Sequence, residues 1–426
     1  MDAMRTFWHH NPRLRQALRR RCEPHPLDKT LGQMHSINGA LDLPISFFMG
    51  DCAQVVKGEQ IAERWRNTVR GIRDEYLDPS HCFPWVVGFS GGKDSTVVAH
   101  AVFEALLAIP PSQRTREVHI VSNDTMVESP LVIAHLDVVT KHIETAAQNL
   151  NLPVVVARTR PDSDKTFWVL LIGKGYPSPN MTMRWCTDRL KIQPTSGYIK
   201  RNISEYGAAI VVLGVRRDES QTRQRSIDKC KNARGSNLTP HTDLTGAFIY
   251  RPIVDLTTDD VWEILGSFHA PWGGNHRDLF QLYRDAEGGE CPVVLSQNEA
   301  PGCGTRNSRF GCWTCTVVEK DKSLQGFIDV GNHHFKPLVD FRDWLKSIRN
   351  NPEMRQAHRR NGRLSFDAAG RHIPGPFTVQ ARKQILEYLL RVQGEFGDRL
   401  ITDEELDLIY QCWTIDLQNE KGLANG

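Results

Sequence analysis

The chain has 426 residues, 40% hydrophobic and 24% charged, which is room for two or three domains with buried cores and excludes a disordered or fibrous chain. No run approaches the roughly 20 apolar residues of a membrane helix, and the basic N-terminal stretch lacks the apolar core of a secretory signal, so a cytoplasmic chain without a membrane partner is expected. A net charge of +3 is too small to declare a nucleic-acid partner; local runs at Arg13, Arg15, Arg19, Arg20 and Arg21 and at Arg355, Arg359, Arg360 and Arg363 suit a polyanion, although most such runs are solvated faces.

In chain order, residues 1–80 read as a helical extension, with apolar residues at helical spacing from Val55 to Tyr76 and Pro79 just beyond. From Trp85 the texture changes. Trp85-Val86-Val87-Gly88-Phe89 is a short apolar run of the kind found in a buried parallel strand, and a glycine turn and a helix over Asp94–Ile109, stopped by Pro110, follow it. The alternation repeats: strand Val118–Ser122, helix Leu131–Leu150, then strands at Val154–Val156 and Ala209–Leu213. This is the βαβ pattern of an α/β fold with a doubly wound, mainly parallel sheet over about residues 81–266, closed by a helix beginning at Thr258-Asp259-Asp260 with capping residues in place. Residues 267–335 form a cysteine-rich segment, in which Ser267 to Thr316 is rich in Gly, Pro, Asn and Cys and lacks periodicity; it needs a cross-link or a metal to hold its shape. Residues 336–426 return to helical spacing, most clearly over Val379–Val392.

The most specific string is Ser90-Gly91-Gly92-Lys93-Asp94-Ser95, between the first strand and its helix. The glycines allow positive φ and clear space for a phosphate, whose charge the helix N-terminus favours. Lys93 and the hydroxyls of Ser90 and Ser95 add charge-assisted contacts, and Asp94 is suited to holding magnesium or orienting the loop. The spacing is not that of a Walker A loop. Further on, Gly214 and Arg216 lie in Leu213-Gly214-Val215-Arg216-Arg217-Asp218-Glu219-Ser220 at another strand end, where an arginine could hold phosphate or sit as an exposed salt-bridge partner.

Ten cysteines in a chain of this length do not describe a disulfide-stapled mini-protein. Cys291, Cys303, Cys312 and Cys315 fall in one irregular segment as C-x11-C-x8-C-x2-C, and no histidine stands near, so zinc and a four-iron cluster are the two candidates; spacing alone favours zinc slightly. Cys186 stands apart in Met183-Arg184-Trp185-Cys186-Thr187-Asp188-Arg189-Leu190-Lys191, where flanking cations would lower its pKa. It could be a sulfur carrier, a cluster ligand or a packed thiol. Cys22, Cys52, Cys82, Cys230 and Cys412 lack such a setting and read as packed thiols.

Ser90–Ser95 resembles the pyrophosphate loop of the N-type ATP pyrophosphatases, an adenine nucleotide alpha hydrolase-like fold of the HUP type, and the Gly214–Ser220 string resembles the PAPS reductase branch of that family. Asp255 to Trp262 looks like the strand-to-helix signature closing the same domain, and Ser122-Asn123-Asp124-Thr125 falls where the family places adenine or ribose contacts, which would give Asp124 a nucleotide role. Met183–Lys191 resembles the cysteine–lysine motif of the sulfonucleotide reductases, with one cysteine where they have an adjacent pair. From about Trp85 to Asp340 the chain resembles the DndC family of DNA phosphorothioation sulfurtransferases, on Glu290-Cys291-Pro292, Cys303-Gly304, Ser308–Thr316, Asp164–Trp168, Gly173–Pro177 and Asp321-Lys322-Ser323. That resemblance implies ATP with Mg2+, a 4Fe-4S cluster on the four clustered cysteines in place of zinc, a cysteine desulfurase as sulfur donor, other phosphorothioation proteins, and DNA. Its chemistry is adenylation of a backbone phosphate oxygen, release of pyrophosphate and replacement of a non-bridging oxygen by sulfur. A sulfonucleotide reductase, a tRNA thiolase and a non-catalytic nucleotide-binding redox sensor are the rival expectations.

Overall fold

The apolar, β-branched run after Pro84 forms β1 (Trp85–Gly88), an inner strand of a six-stranded sheet in the computed structural model. The structure describes residues 52–219, 224–225, 227–228, 237–287 and 310–424. β2 (Val118–Asn123), β3 (Val154–Thr159), β4 (Ala209–Val212), β5 (Leu238–Pro240) and β6 (Ala247–Tyr250) complete the sheet in the order β3-β2-β1-β4-β6-β5. β5 pairs antiparallel with β6 at one edge, and every other pairing is parallel. The chain winds outward from β1 to β3 and then crosses back to β4. The strand order therefore reverses between β1 and β4, and in such sheets a crevice opens there at the carboxyl ends.

Strand alternation divides the core in two layers. Trp85, Val87, Ile120, Ile210 and Val212 face a cluster shared with α1 (Cys52–Tyr76), α2 (Lys93–Leu107) and α3 (Pro130–Asn149). Val86, Val121, Ala209 and Val211 face the opposite side, where Ile199 of α4 (Gln193–Tyr206) covers them. α2 is buried along most of its length, as its valines and alanines require. α5 (Thr258–Ser267) starts with a capping box: the Thr257 hydroxyl accepts the Asp260 N–H, and Asp260 reciprocates at the Thr257 N–H.

A second core lies beside the sheet. Phe167 to Ile172, Leu190 and Trp313 pack with α7 (Lys322–Asp329), α8 (Lys336–Ile348), α9 (Val379–Phe396) and α10 (Asp403–Ala424), and Trp168, Phe327, Phe341 and Leu389 are wholly buried there. Side chains of this size each contribute about 1.5–3 kcal/mol on burial. Two indole N–H groups tie this core together: Trp168 donates to the Leu400 carbonyl at 2.7 Å and Trp413 to that of Ile172 at 2.9 Å. This core ties the segment before Cys186 to the C-terminal helices.

The structure differs from the sequence expectations in several places. The aperiodic stretch after Ser267 contains α6 (Arg277–Ala286), whose Leu279, Leu282, Tyr283 and Ala286 form a buried stripe that the surrounding Gly and Asn conceal. α4, β5 and β6 were not anticipated. Cys82 is disulfide-bonded rather than a packed thiol. Cys22, Cys230, Cys291, Cys303 and the N-terminal arginine run lie outside the described residues. Among the described residues, no helix is long and apolar enough to cross a membrane.

Candidate active site

The carboxyl ends of β1 and β4 open into a cavity of about 780 Å³, lined on one side by Ser90, Gly92, Lys93, Asp94 and Ser95 and on the other by Gly214, Arg216 and Asp218. Gly91 has φ +73°, which a side chain rarely adopts, and a Cβ there would also press on Leu136 at 3.3 Å. Gly92 is the N-cap of α2 with no side chain capping the helix, so the start of α2 presents its amides to an anion. The serines brace the loop from inside: the Ser90 N–H donates to Ser95 Oγ at 3.2 Å, and Ser95 Oγ donates to the Gly92 carbonyl at 2.9 Å.

Asp94 is the charge hub of this wall. Its Oδ1 accepts from Arg216 Nε at 2.7 Å, and its Oδ2 lies 3.2 Å from Lys93 Nζ. Arg216 is 1% exposed, not the surface salt-bridge partner that the sequence left open. Its other nitrogens reach Asp218 Oδ2 at 3.4 Å, the Leu256 carbonyl at 3.3 Å and Thr258 Oγ1 at 3.2 Å. With all three guanidinium nitrogens engaged inside the protein, Arg216 fixes Asp94 against the start of α5. Gly214 has a different duty. A Cβ there would stand 2.9 Å from the Asp94 carbonyl oxygen, so only glycine lets this strand end approach the phosphate loop.

Asp124 also has its oxygens engaged: Oδ1 accepts the Met126 N–H at 2.9 Å and Oδ2 pairs with Arg160 Nε at 2.9 Å. Met126 sits at φ +63°, so Asp124 props a strained turn, and the cavity wall at this strand end is Asn123. The turn has a purpose in the packing. It presents Val127 and Glu128 to the cysteine segment, where the Trp313 N–H donates to the Val127 carbonyl at 3.1 Å and Glu128 bridges to Cys312.

Cys312 and Cys315 form a tight turn, with the Cys315 N–H on the Cys312 carbonyl at 3.0 Å. Thr125 Oγ1 lies 3.3 Å from Cys312 Sγ and donates to Glu128 Oε1 at 3.0 Å. Behind the turn, the buried Arg342 of α8 donates to the carbonyls of Cys315 at 2.7 Å and Glu319 at 2.9 Å, and also to that of Val318. Cys186 packs against the same core as Cys312, at the head of a π-helical turn over Thr187–Ile192. Cys186, Cys312 and Cys315 are all free thiols.

Electrostatics correct one expectation. The Cys186 thiol is pushed up, by burial first and then by the neighbouring Cys315, where the sequence pointed to a lowered value. The flanking arginines point elsewhere: Arg184 to Met181 and Arg189 to Asp188. Burial, followed by Glu128, pushes the Cys312 thiol up to about 12. Lys191 is the cation that faces these thiols. Burial opposes its charge, but Cys312, Glu128 and Cys186 outweigh that and hold its pKa above the usual lysine range. Its Nζ lies 3.2 Å from Glu128 Oε1, and both residues line the nucleotide-sized cavity. Glu128, bridged through its backbone to Cys312, thus joins the wall of the cavity to the cysteine turn. Tyr283, the other residue absent from the sequence expectations, lies over the loop with its Oη 3.3 Å from the Lys93 nitrogen. Nothing short of the α6 stripe signalled it.

The family model of the phosphoadenosine phosphosulfate reductase domain matches residues 84–318, more than half of the chain and the span that holds both walls of this cavity. The chain belongs to this family. The matched span is a PAPS reductase-like nucleotide-binding domain. Over 158 residues the chain is 26% identical to uncharacterized protein MJ0066 of Methanocaldococcus jannaschii, a match covering 37% of this chain and 28% of that protein. A phosphoadenylyl-sulfate reductase from Candida auris in its phosphate complex is 14% identical, covering 51% of this chain and 89% of that one with a TM-score of 0.30. The U34-tRNA thiolase NcsA from Methanococcus maripaludis, with its 4Fe-4S cluster, is 13% identical over 52% of this chain and 70% of that one, with a TM-score of 0.29.

Proposed function

We propose that the chain is an ATP-dependent sulfurtransferase of DNA phosphorothioate modification, of the DndC kind. One observation carries this reading: Glu128 and Lys191 line the same cavity as Ser90–Ser95, and Glu128 is bridged through its backbone to Cys312 in the cysteine segment. A phosphodiester oxygen leaves poorly, so it needs activation before sulfur can replace it. The α2 amides, Lys93 and the loop hydroxyls would hold the ATP phosphates, while Arg216 keeps Asp94 in place. Asp94 and Asp218 supply carboxylate oxygens of the kind Mg2+ takes. A DNA phosphate oxygen attacks the α-phosphorus of ATP, and pyrophosphate departs. The outer sulfur of a persulfide then attacks the adenylated phosphorus and AMP leaves with the oxygen; a thiol reductant cleaves the remaining S–S bond, freeing the phosphorothioate and the carrier thiol.

The residues also fit a 4Fe-4S cluster. Cys312 and Cys315 offer free thiols in a chelating turn, and between them the buried Thr314 hydroxyl has no hydrogen-bond partner, as a donor turned toward inorganic sulfide would. Cys291 and Cys303, outside the described residues, would complete the four-thiolate set and leave Cys186 to carry the sulfur delivered by a cysteine desulfurase. When bound, the cluster would supply electrons or hold sulfur. Other phosphorothioation proteins would present the DNA. A reductase that shuttles electrons through a mobile C-terminal cysteine is less well supported, because Cys412 is fixed in α10, its sulfur 3.4 Å from where a Cβ on Gly173 would stand.

Protein purified without oxygen should contain about four irons per chain and catalyse ATP–pyrophosphate exchange that DNA stimulates and tRNA does not. Stimulation by tRNA, or reduction of PAPS in place of exchange, would overturn the proposal.

A further inference from the structure

Between α8 and α9 the chain leaves the second core and makes a strap, residues 355–376, that is ordered by its own hydrogen bonds. At the base, the Gln356 N–H donates to the Pro376 carbonyl at 2.8 Å and the Gly375 N–H to that of Gln356 at 2.6 Å. Two tight loops follow. One closes through the Arg359 N–H on the Arg363 carbonyl at 2.8 Å, the other through the Asp367 N–H on the Arg371 carbonyl at 2.9 Å. Arg355 holds the stem, donating to the carbonyls of Gly375 and Arg349 at 2.6 Å each and of Pro374 at 2.9 Å. The strap returns to the body at Phe377, whose N–H donates to the Gly175 carbonyl at 2.7 Å, in the segment that leads to Cys186.

A strap this well tied could have turned its apolar side chains inward, yet Phe366 is 57% exposed and Leu364 51% exposed. The same strap carries Arg359, Arg360, Arg363 and Arg371 against a single carboxylate, Asp367. Asp367 is taken by Arg371 at 2.7 Å and Arg360 reaches Asp416 at 3.3 Å, whereas among the described residues the Arg359 guanidinium meets only the Ser365 hydroxyl, at 3.3 Å. Arg363 is exposed and forms no ion pair among the described residues. A strap that carries these guanidinium groups and an exposed phenyl ring, edge-on to His372 at 5.8 Å, matches a polyanion with flat apolar faces between its charges.

We infer that this strap is a DNA-contacting element, its Arg359 and Arg363 meeting backbone phosphates and Phe366 stacking on an unpaired base. The inference rests on the DNA reading of the function, which it deepens by naming the surface. The exposed side chains can be removed without disturbing the core. Fluorescence anisotropy on the full chain, with duplex and single-stranded DNA, should show the Arg359→Ala/Arg363→Ala double variant binding about tenfold more weakly, with a salt slope lower by about 2. Phe366→Ala should weaken single-strand binding at least about fivefold, while Arg70→Ala on exposed α1 leaves both affinities unchanged. If the wild-type chain binds neither DNA form, or prefers tRNA, the strap assignment and the proposed function fail together. If it binds DNA and the strap variants bind equally well, or alter only self-association in sedimentation, the strap assignment alone is overturned.

Discussion

Asp94→Asn is expected to lower ATP–pyrophosphate exchange by at least about a hundredfold while leaving the iron content unchanged. Asparagine keeps an acceptor for Arg216 Nε, now 2.7 Å from Asp94 Oδ1, so the loop can keep its course. What disappears is the negative charge between two cations. Lys93 Nζ, 3.2 Å away, would lose its carboxylate, the buried Arg216 would keep only the more distant Asp218 at 3.4 Å, and Mg2+ would lose a ligand. Alanine would be a poorer test, because it also removes the acceptor of the buried Arg216 Nε and confuses loss of chemistry with loss of fold. Full exchange in the asparagine variant would mean that ATP is handled elsewhere.

Cys312→Ala should weaken metal retention by at least about a hundredfold, since even an outer-shell change at a metal site commonly costs ten- to a hundredfold. The Cys312 thiol is buried beside Glu128, a setting that disfavours a free thiolate, so a bound metal would be needed to hold its charge. Its loop is otherwise held by Val127, Glu128 and Arg342, so the fold around an alanine has independent support. Cys412→Ala in α10 is the matched control and should keep its iron. An iron-replete Cys312 variant would show that the cysteine segment does not hold the cluster.

The phosphate loop was legible in the sequence because its determinants are local: an apolar strand, two glycines and a helix start lie within a dozen residues. What positions it was not. Arg216 and Asp94 meet across 122 residues of chain, and nothing in the Gly214–Ser220 string distinguishes a buried strut from a surface arginine. Asp124 fell at the expected strand end, yet backbone sterics at Met126 claim its carboxylate and leave the wall to Asn123. The role of the C-terminal helices was hidden for the same reason. Arg342 braces Cys315 from 27 residues away in a helix whose own pattern signals only amphipathicity. For Cys186, sequence proximity to arginines suggested an acidic thiol, but side-chain direction sends those arginines elsewhere and burial dominates.

The nearness of nucleotide and thiols, through the wall that Glu128 and Lys191 share, can be measured directly. In anaerobic holoprotein with its cluster reduced, the electron-spin relaxation of the cluster is compared with MnATP and with MgATP bound. Faster relaxation with MnATP is the expected result, because the manganese would sit across that wall from the thiols. Identical relaxation with the two nucleotide complexes would contradict a single site joining ATP chemistry to sulfur.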